Sequence, residues 1–270
     1  MIGRFRLSNL YLIFVFLVMY APIAYLIFYS FNAGGSMTSF EGFTLSWYRE
    51  VLQDTRLLII VLNTIVIALL SAAASTILGV FGALTIYFAK TKRAKNSLLS
   101  FNNVLMVSPD VIIGASFLIL FTMLGIRLGF ISVLLSHIAF GVPIVVIMVL
   151  PKLYEMSPSL IDAALDLGAS RWHVLSRVIL PFITSGILAG FFMALTYSLD
   201  DFAVTFFVTG NGFSTLSVEI YSLARRGVSL EINALSTIIF FITLFIVLGF
   251  YAISRRESKS ASSAYWGDKK

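Results

Sequence analysis

The chain of 270 residues contains no cysteine. That excludes disulfides, thiolate metal ligands and cysteine nucleophiles. Charge is also scarce: 12% of residues are Asp, Glu, Lys or Arg, against about 25% in ordinary soluble domains. The only histidines are His137 and His173, and neither has a metal-spaced or triad-forming neighbour in the sequence. Neither a catalytic residue nor a bound metal or cofactor is expected. No Gly-x-x-x-x-Gly-Lys-[Ser/Thr] loop occurs, so the chain has no phosphate cradle of that kind for ATP. Finally, Lys and Arg are missing from every long apolar run.

Apolar residues make up 59% of the chain and its mean hydropathy is +0.97. Soluble domains are about 45–50% apolar, so this is the composition of an integral membrane protein. A helix needs about 20 mainly apolar residues to cross a bilayer. Six runs meet that need: 10–31, 57–89, 98–124, 128–150, 182–207 and 233–253. They are continuously apolar rather than alternating, which favours helices over a β-barrel. The first run follows Arg4 and Arg6, as a signal peptide would. It is long for that purpose and has no small-x-small cleavage site, so it reads as a retained span. The expected architecture is an all-α, six-span, multi-pass domain over 1–254, followed by a polar, disordered tail at 255–270.

The net charge of +6 needs no nucleic acid. If the N-terminus lies inside, fourteen of the 19 basic residues fall on inner segments and five on outer ones. This asymmetry places both termini in the cytoplasm. The segment PKLYEMSPSLIDAALDLGASRWHVLSRVILP, 151–181, is then cytoplasmic. Ser157 and Pro158 mark a helix start, Gly168 a stop, and Ser170 a second start running to about Ile179.

The spacing within this loop resembles the EAA loop of ABC importer permeases. Asp162-Ala163-Ala164 is followed after three residues by Gly168, and after nine more by Val178-Ile179-Leu180-Pro181. Asp162 replaces the family's Glu, and Val178 its first Ile. Along the rest of the chain, LMVSPDVIIGASFLILFTMLGIRLGF, HIAFGVPIVVIMV, SLDDFAVTFFVTG and LSVEIYSLARRGVSLEINALSTI are similar to the permeases of spermidine/putrescine importers, specifically the subunit with the SPD and LDDF pattern. The resemblance implies a type I importer fold in a bacterial plasma membrane. It also implies a second homologous permease, an extracytoplasmic polyamine-binding protein, and two cytosolic ATPases that carry ATP and Mg. Asp162, Ala163, Ala164, Gly168, Leu180 and Pro181 are the implied ATPase-coupling residues.

The spans hold three acids, Asp110, Asp200 and Asp201, and no basic residue. A charge at the bilayer centre costs roughly 2.5–3.5 kcal/mol even on the lenient insertion scale, so such residues usually face a cavity or a partner. A neutral carboxyl is one alternative. Helix capping is another, with Ser108 and Asp110 at a helix restarted near Pro109. Adjacent helical residues point about 100° apart. One of Asp200 and Asp201 is therefore expected to line the pathway, and the other to bond within the bundle to a hydroxyl such as that of Tyr197. A cation with an apolar body suits carboxylates and aromatic rings, and Tyr197, Phe202 and Phe206 are the nearby rings. Two alternatives stay open: an importer for another small organic cation, and a secondary transporter whose acids bind H⁺ or Na⁺.

Overall fold

The computed structural model describes residues 7–227 and 230–245. Its regular structure there is helical, with one isolated antiparallel bridge between Asn32 and Phe43. The chain divides into two compact units: 59–221, and 1–58 together with 222–270.

The second of these units opens with α1 (Leu7–Tyr29), a membrane-length helix with no fully buried residue in its apolar stretch 9–29. The loop that follows is organised by Asn32, which is fully buried. Its Nδ2 donates to the carbonyls of Ser36 (2.9 Å) and Ser39 (2.8 Å), and its Oδ1 accepts from the amides of Gly34 (3.2 Å) and Glu41 (2.7 Å). One side chain thus satisfies the backbone of a turn rich in glycine and serine. The Trp47 indole on α2 (Ser46–Gln53) donates to the Asn32 carbonyl at 2.8 Å.

The unit 59–221 carries the rest of α3 (Thr55–Tyr87), then α4 (Lys92–Val107), α5 (Asp110–Met123) and α6 (Phe130–Glu155). The short helices α7 (Pro158–Asp166) and α8 (Arg171–Val174) follow. A π-helical turn (Leu175–Ile179) leads into α9 (Leu180–Phe182), then α10 (Thr184–Asp200) and α11 (Ala203–Val208). The next helix, α12 (Leu216–Arg226), begins in this unit, and α13 (Leu230–Phe245) belongs to the other. One apolar cluster joins α3, α6 and α10 through Ala72, Val145, Val149 and Ala194, and takes in Val174 and Ile179 of the loop. A Cβ at Gly79 or Gly190 would lie 2.5 Å or 3.1 Å from side-chain atoms of Val145, so small residues let α3 and α10 close on α6.

Two of the six expected spans are not single rods. The run 98–124 is broken at Ser108–Pro109, where α4 and α5 meet at 103°. Proline removes an amide and keeps Ser108 extended (ψ 137°), so the backbone ladder stops there. The run 182–207 is broken at Asp201–Phe202, between α10 and α11. A 66° bend also precedes it at Ile183, beyond Pro181 rather than at it. The π turn just before Pro181 accommodates the proline within a helix. Helices α1, α3 and α6 have full crossing length and composition. The end of the run 233–253, the tail 255–270 and Arg4 and Arg6 lie outside the described residues.

Candidate functional site

The breaks at Ser108–Pro109 and Asp201–Phe202 bring the three intramembrane acids into one neighbourhood. Helices α5 and α11 touch closely, because Gly114 leaves room for α11: a Cβ there would lie 3.1 Å from the Val204 Cα. A cavity of about 360 Å³ is lined by Asp110, Thr196, Tyr197, Asp200, Phe202 and neighbours. A smaller one, about 100 Å³, shares Asp110 and Tyr197 and adds Phe140 and Ile144. The Tyr197 hydroxyl donates to Asp110 Oδ1 at 3.0 Å, tying the start of α5 to the last turn of α10.

The adjacent acids have different tasks. Asp200 is exposed on the cavity wall. Asp201 is buried and caps α11. Its Oδ2 accepts from the Thr205 amide (2.8 Å) and hydroxyl (2.7 Å), and its Oδ1 from the Val204 amide (3.4 Å). Its hydroxyl partner is therefore Thr205, and Tyr197 serves Asp110 instead. Capping is not the role of Ser108 or Asp110: the Ser108 hydroxyl turns back to the Val104 carbonyl at 2.7 Å, and α5 has no side-chain cap. Phe202 is on the wall, whereas Phe206 is outside it and packs with Phe202 (5.3 Å) and Tyr221 (5.7 Å). Thr196, Met193 and Ala203 also line the cavity. Sequence reading passed over them because neither charge nor aromaticity marks them.

Behind the wall lies a polar chain. His137 Nδ1 meets Ser198 Oγ at 2.6 Å, and its Nε2 meets Thr205 Oγ1 at 2.8 Å and Asp201 Oδ2 at 3.5 Å. Ser198 continues to Ser71 of α3 at 3.0 Å. A lone histidine in an apolar run gave no sign of this set, since its partners come from α10, α11 and the break between them.

On the loop, Asp162 and Ala163 are exposed while Ala164 packs on the apolar cluster. Helix α7 closes with the Ala169 amide on the Ala164 carbonyl (3.0 Å) and the Gly168 amide on that of Leu165 (2.9 Å), with Gly168 at φ +83°. This is the paired 6→1 and 5→2 closure that a left-handed residue permits. Leu180 is partly buried against the cluster and Pro181 is exposed. On the same loop, Leu167 and Trp172 are 90% and 70% exposed.

Residues 75–257 match the profile of the family described as binding-protein-dependent transport system inner membrane component. The chain belongs to this family. It is 37% identical over 259 residues to the spermidine/putrescine transport system permease protein PotC of Escherichia coli K12, covering 96% of this chain and 97% of that one. The PotC protein of Haemophilus influenzae is 34% identical over 256 residues, with 95% and 99% covered. The putrescine transport system permease protein PotI of E. coli K12 is 36% identical over 240 residues, with 87% and 85% covered.

Among solved structures, the permease is similar to a chain of a bacterial ABC transporter that imports the acidic polysaccharide alginate. The TM-score is 0.72 at 19% identity, with 92% and 94% covered. It is also similar to a chain of the MetNI methionine ABC transporter, with a TM-score of 0.61 at 16% identity and 75% and 97% covered. These likenesses fix the fold. The chain is a multi-pass inner-membrane permease subunit of an ABC importer, and the chemistry of its cargo has to be read from the site.

Proposed function

We propose that the permease forms half of the pathway of an ATP-driven polyamine importer, for spermidine, putrescine or both. The observation that carries this reading is a cavity whose charged side chains are all acidic, Asp110, Asp200 and Asp201, with the aromatic rings of Tyr197 and Phe202 beside them. A polyamine brings separated ammonium groups on a methylene chain, which match carboxylates and ring faces respectively. An anion importer would place Arg or Lys at this point, whereas no basic residue lines the cavity and the uncapped start of α5 carries Asp110 itself. The PotC and PotI similarity supports the same cargo.

The working unit is this chain with a second homologous permease, two cytosolic ATPases and an extracytoplasmic binding protein, in membrane lipid. ATP and Mg belong to the ATPases. Six spans with cytoplasmic termini complete the reading, the pairs α4–α5 and α10–α11 each counting as one broken span. Asp162, Ala163 and the exposed Leu167 and Trp172 form the dock. Val174 and Ile179 carry its displacement into the α3–α6–α10 core. A ligand shifts such a two-state machine only by binding one state better than the other.

Cells lacking their own polyamine importers test the cargo. Co-expression of this permease with its partner subunits is expected to restore uptake of labelled spermidine or putrescine. Restored uptake of a neutral solute alone would overturn the assignment.

A further inference from the structure

We infer that His137 is a positioning residue for the cavity: it pins the α10–α11 break from behind and so sets where Asp200 and Tyr197 stand. This rests on the cavity being the cargo site.

Hydrogen bookkeeping fixes how the pin works. Asp201 Oδ2 accepts the Thr205 hydroxyl hydrogen, so that hydroxyl has no second hydrogen to give. The 2.8 Å contact from His137 Nε2 to Thr205 Oγ1 is then a donation by the imidazole. In the neutral ring, Nδ1 is left as an acceptor, and the Ser198 hydroxyl donates to it at 2.6 Å. The Ser71 hydroxyl lies 3.0 Å from Ser198 Oγ and 3.2 Å from the Ala68 carbonyl, and shares its one hydrogen between them. The set Ser71, Ser198, His137, Thr205 and Asp201 is continuous, and every member is buried. One ring on α6 therefore holds the last turn of α10 with one nitrogen and the first turn of α11 with the other.

The last turn of α10 has two working faces. Tyr197 and Asp200, three residues apart, share the face that lines the cavity. Ser198 and Asp201, also three apart, are on the buried side and belong to the pin. A second link reinforces this: the His137 ring packs on Phe140 (4.9 Å between centroids), and Phe140 packs edge-on to Tyr197 (5.1 Å). Without the imidazole, two buried hydroxyls and a carboxylate lose their shared partner, and the turn bearing the cavity acids is freed to move. The loss is expected in cargo recognition rather than in the amount of folded complex.

The assembled importer tests this with His137→Leu and His137→Gln. Leucine fills the space without hydrogen bonds, and glutamine keeps an amide donor for Thr205. With equal amounts of complex in the membrane, His137→Leu is expected to raise the KM for spermidine uptake by about tenfold, the scale of one broken buried hydrogen bond set. His137→Gln is expected to recover most of that change. A fall in maximal rate at unchanged KM, or a glutamine variant no better than leucine, would overturn the inference.

A cargo-free readout separates this from the polyamine reading. The chain has no cysteine, so Thr196→Cys gives a single reporter on the cavity wall. Its labelling by a methanethiosulfonate reagent, followed on this chain, is expected to change several-fold with His137→Leu and little with His137→Gln. Equal rates in all three backgrounds would contradict the pin even if the importer moved no polyamine. Altered rates without any polyamine uptake would overturn the cargo assignment and leave the pin standing.

Discussion

Asp200→Asn is expected to lower spermidine uptake by about ten- to a hundredfold in kcat/KM while the complex assembles normally. A hydrogen bond to a charged group contributes about 1.5–3 kcal/mol, and each 1.4 kcal/mol is about tenfold. Asparagine keeps the size and polarity of Asp200 and removes only its charge, so the loss reports the meeting of carboxylate and ammonium. Asp200 is exposed on the cavity wall, whereas the α11 amides are held by Asp201. Asp201→Asn should behave differently. Its carboxylate accepts two amides and one hydroxyl and faces His137, and an asparagine offers one acceptor oxygen where two are used. Reduced membrane levels or a lower thermal midpoint should accompany its transport defect. Uptake and amount measured side by side for the two variants check the division. Wild-type transport in Asp200→Asn would remove that residue from the pathway.

The second large effect is expected at the loop. Gly168→Val should reduce ATP-driven uptake by at least about tenfold and weaken recovery of the ATPase with the complex. Nothing lies within 4 Å of a Cβ built at Gly168, so the substitution meets no clash. Its cost comes from the backbone: φ +83° is open to glycine and costs a typical side chain about 1–3 kcal/mol. A β-branched residue is least able to adopt it. The helix end then relaxes, the Ala169 and Gly168 amides leave their carbonyls, and Asp162 and Ala163 lose their fixed presentation. Asparagine tolerates the left-handed region, so Gly168→Asn should retain most activity. Equal pulldown and transport for valine and asparagine would show that this turn plays no part in docking.

Much of this was legible in the sequence because the bilayer leaves few choices. Apolar runs located α1, α3 and α6 to within a few residues, since length and composition alone make a span. Pro158 at the first helical position, Gly168 and the Ser170 cap marked the loop helices because such signals act locally, whereas Ser157 makes no cap and its hydroxyl pairs with that of Ser159 at 2.7 Å. The breaks were harder to see. Pro109 announced one, but the Asp201–Phe202 break has no proline or glycine. It depends on Asp201 finding Thr205 four residues on and His137 sixty-four residues back. The same long-range geometry separates Asp200 from Asp201, which composition treats alike. Tyr197 was picked out as a hydroxyl partner for that pair, yet it reaches Asp110 because the α4–α5 bend brings the start of α5 to it. Phe206, one helical turn beyond Phe202, stacks on its neighbours instead of reaching the wall, a difference of facing that a list of aromatic residues does not carry.

The central claim is that the acid-lined cavity passes a polycation under the drive of a separate ATPase. It is tested most directly by ATP-dependent uptake in proteoliposomes holding the permease with its partner permease, ATPases and binding protein. The account predicts that labelled spermidine or putrescine accumulates only with ATP, and that Asp110→Asn with Asp200→Asn abolishes accumulation while ATPase subunits stay bound. Accumulation that persists in the double variant, or that requires an ion gradient instead of ATP, would contradict it.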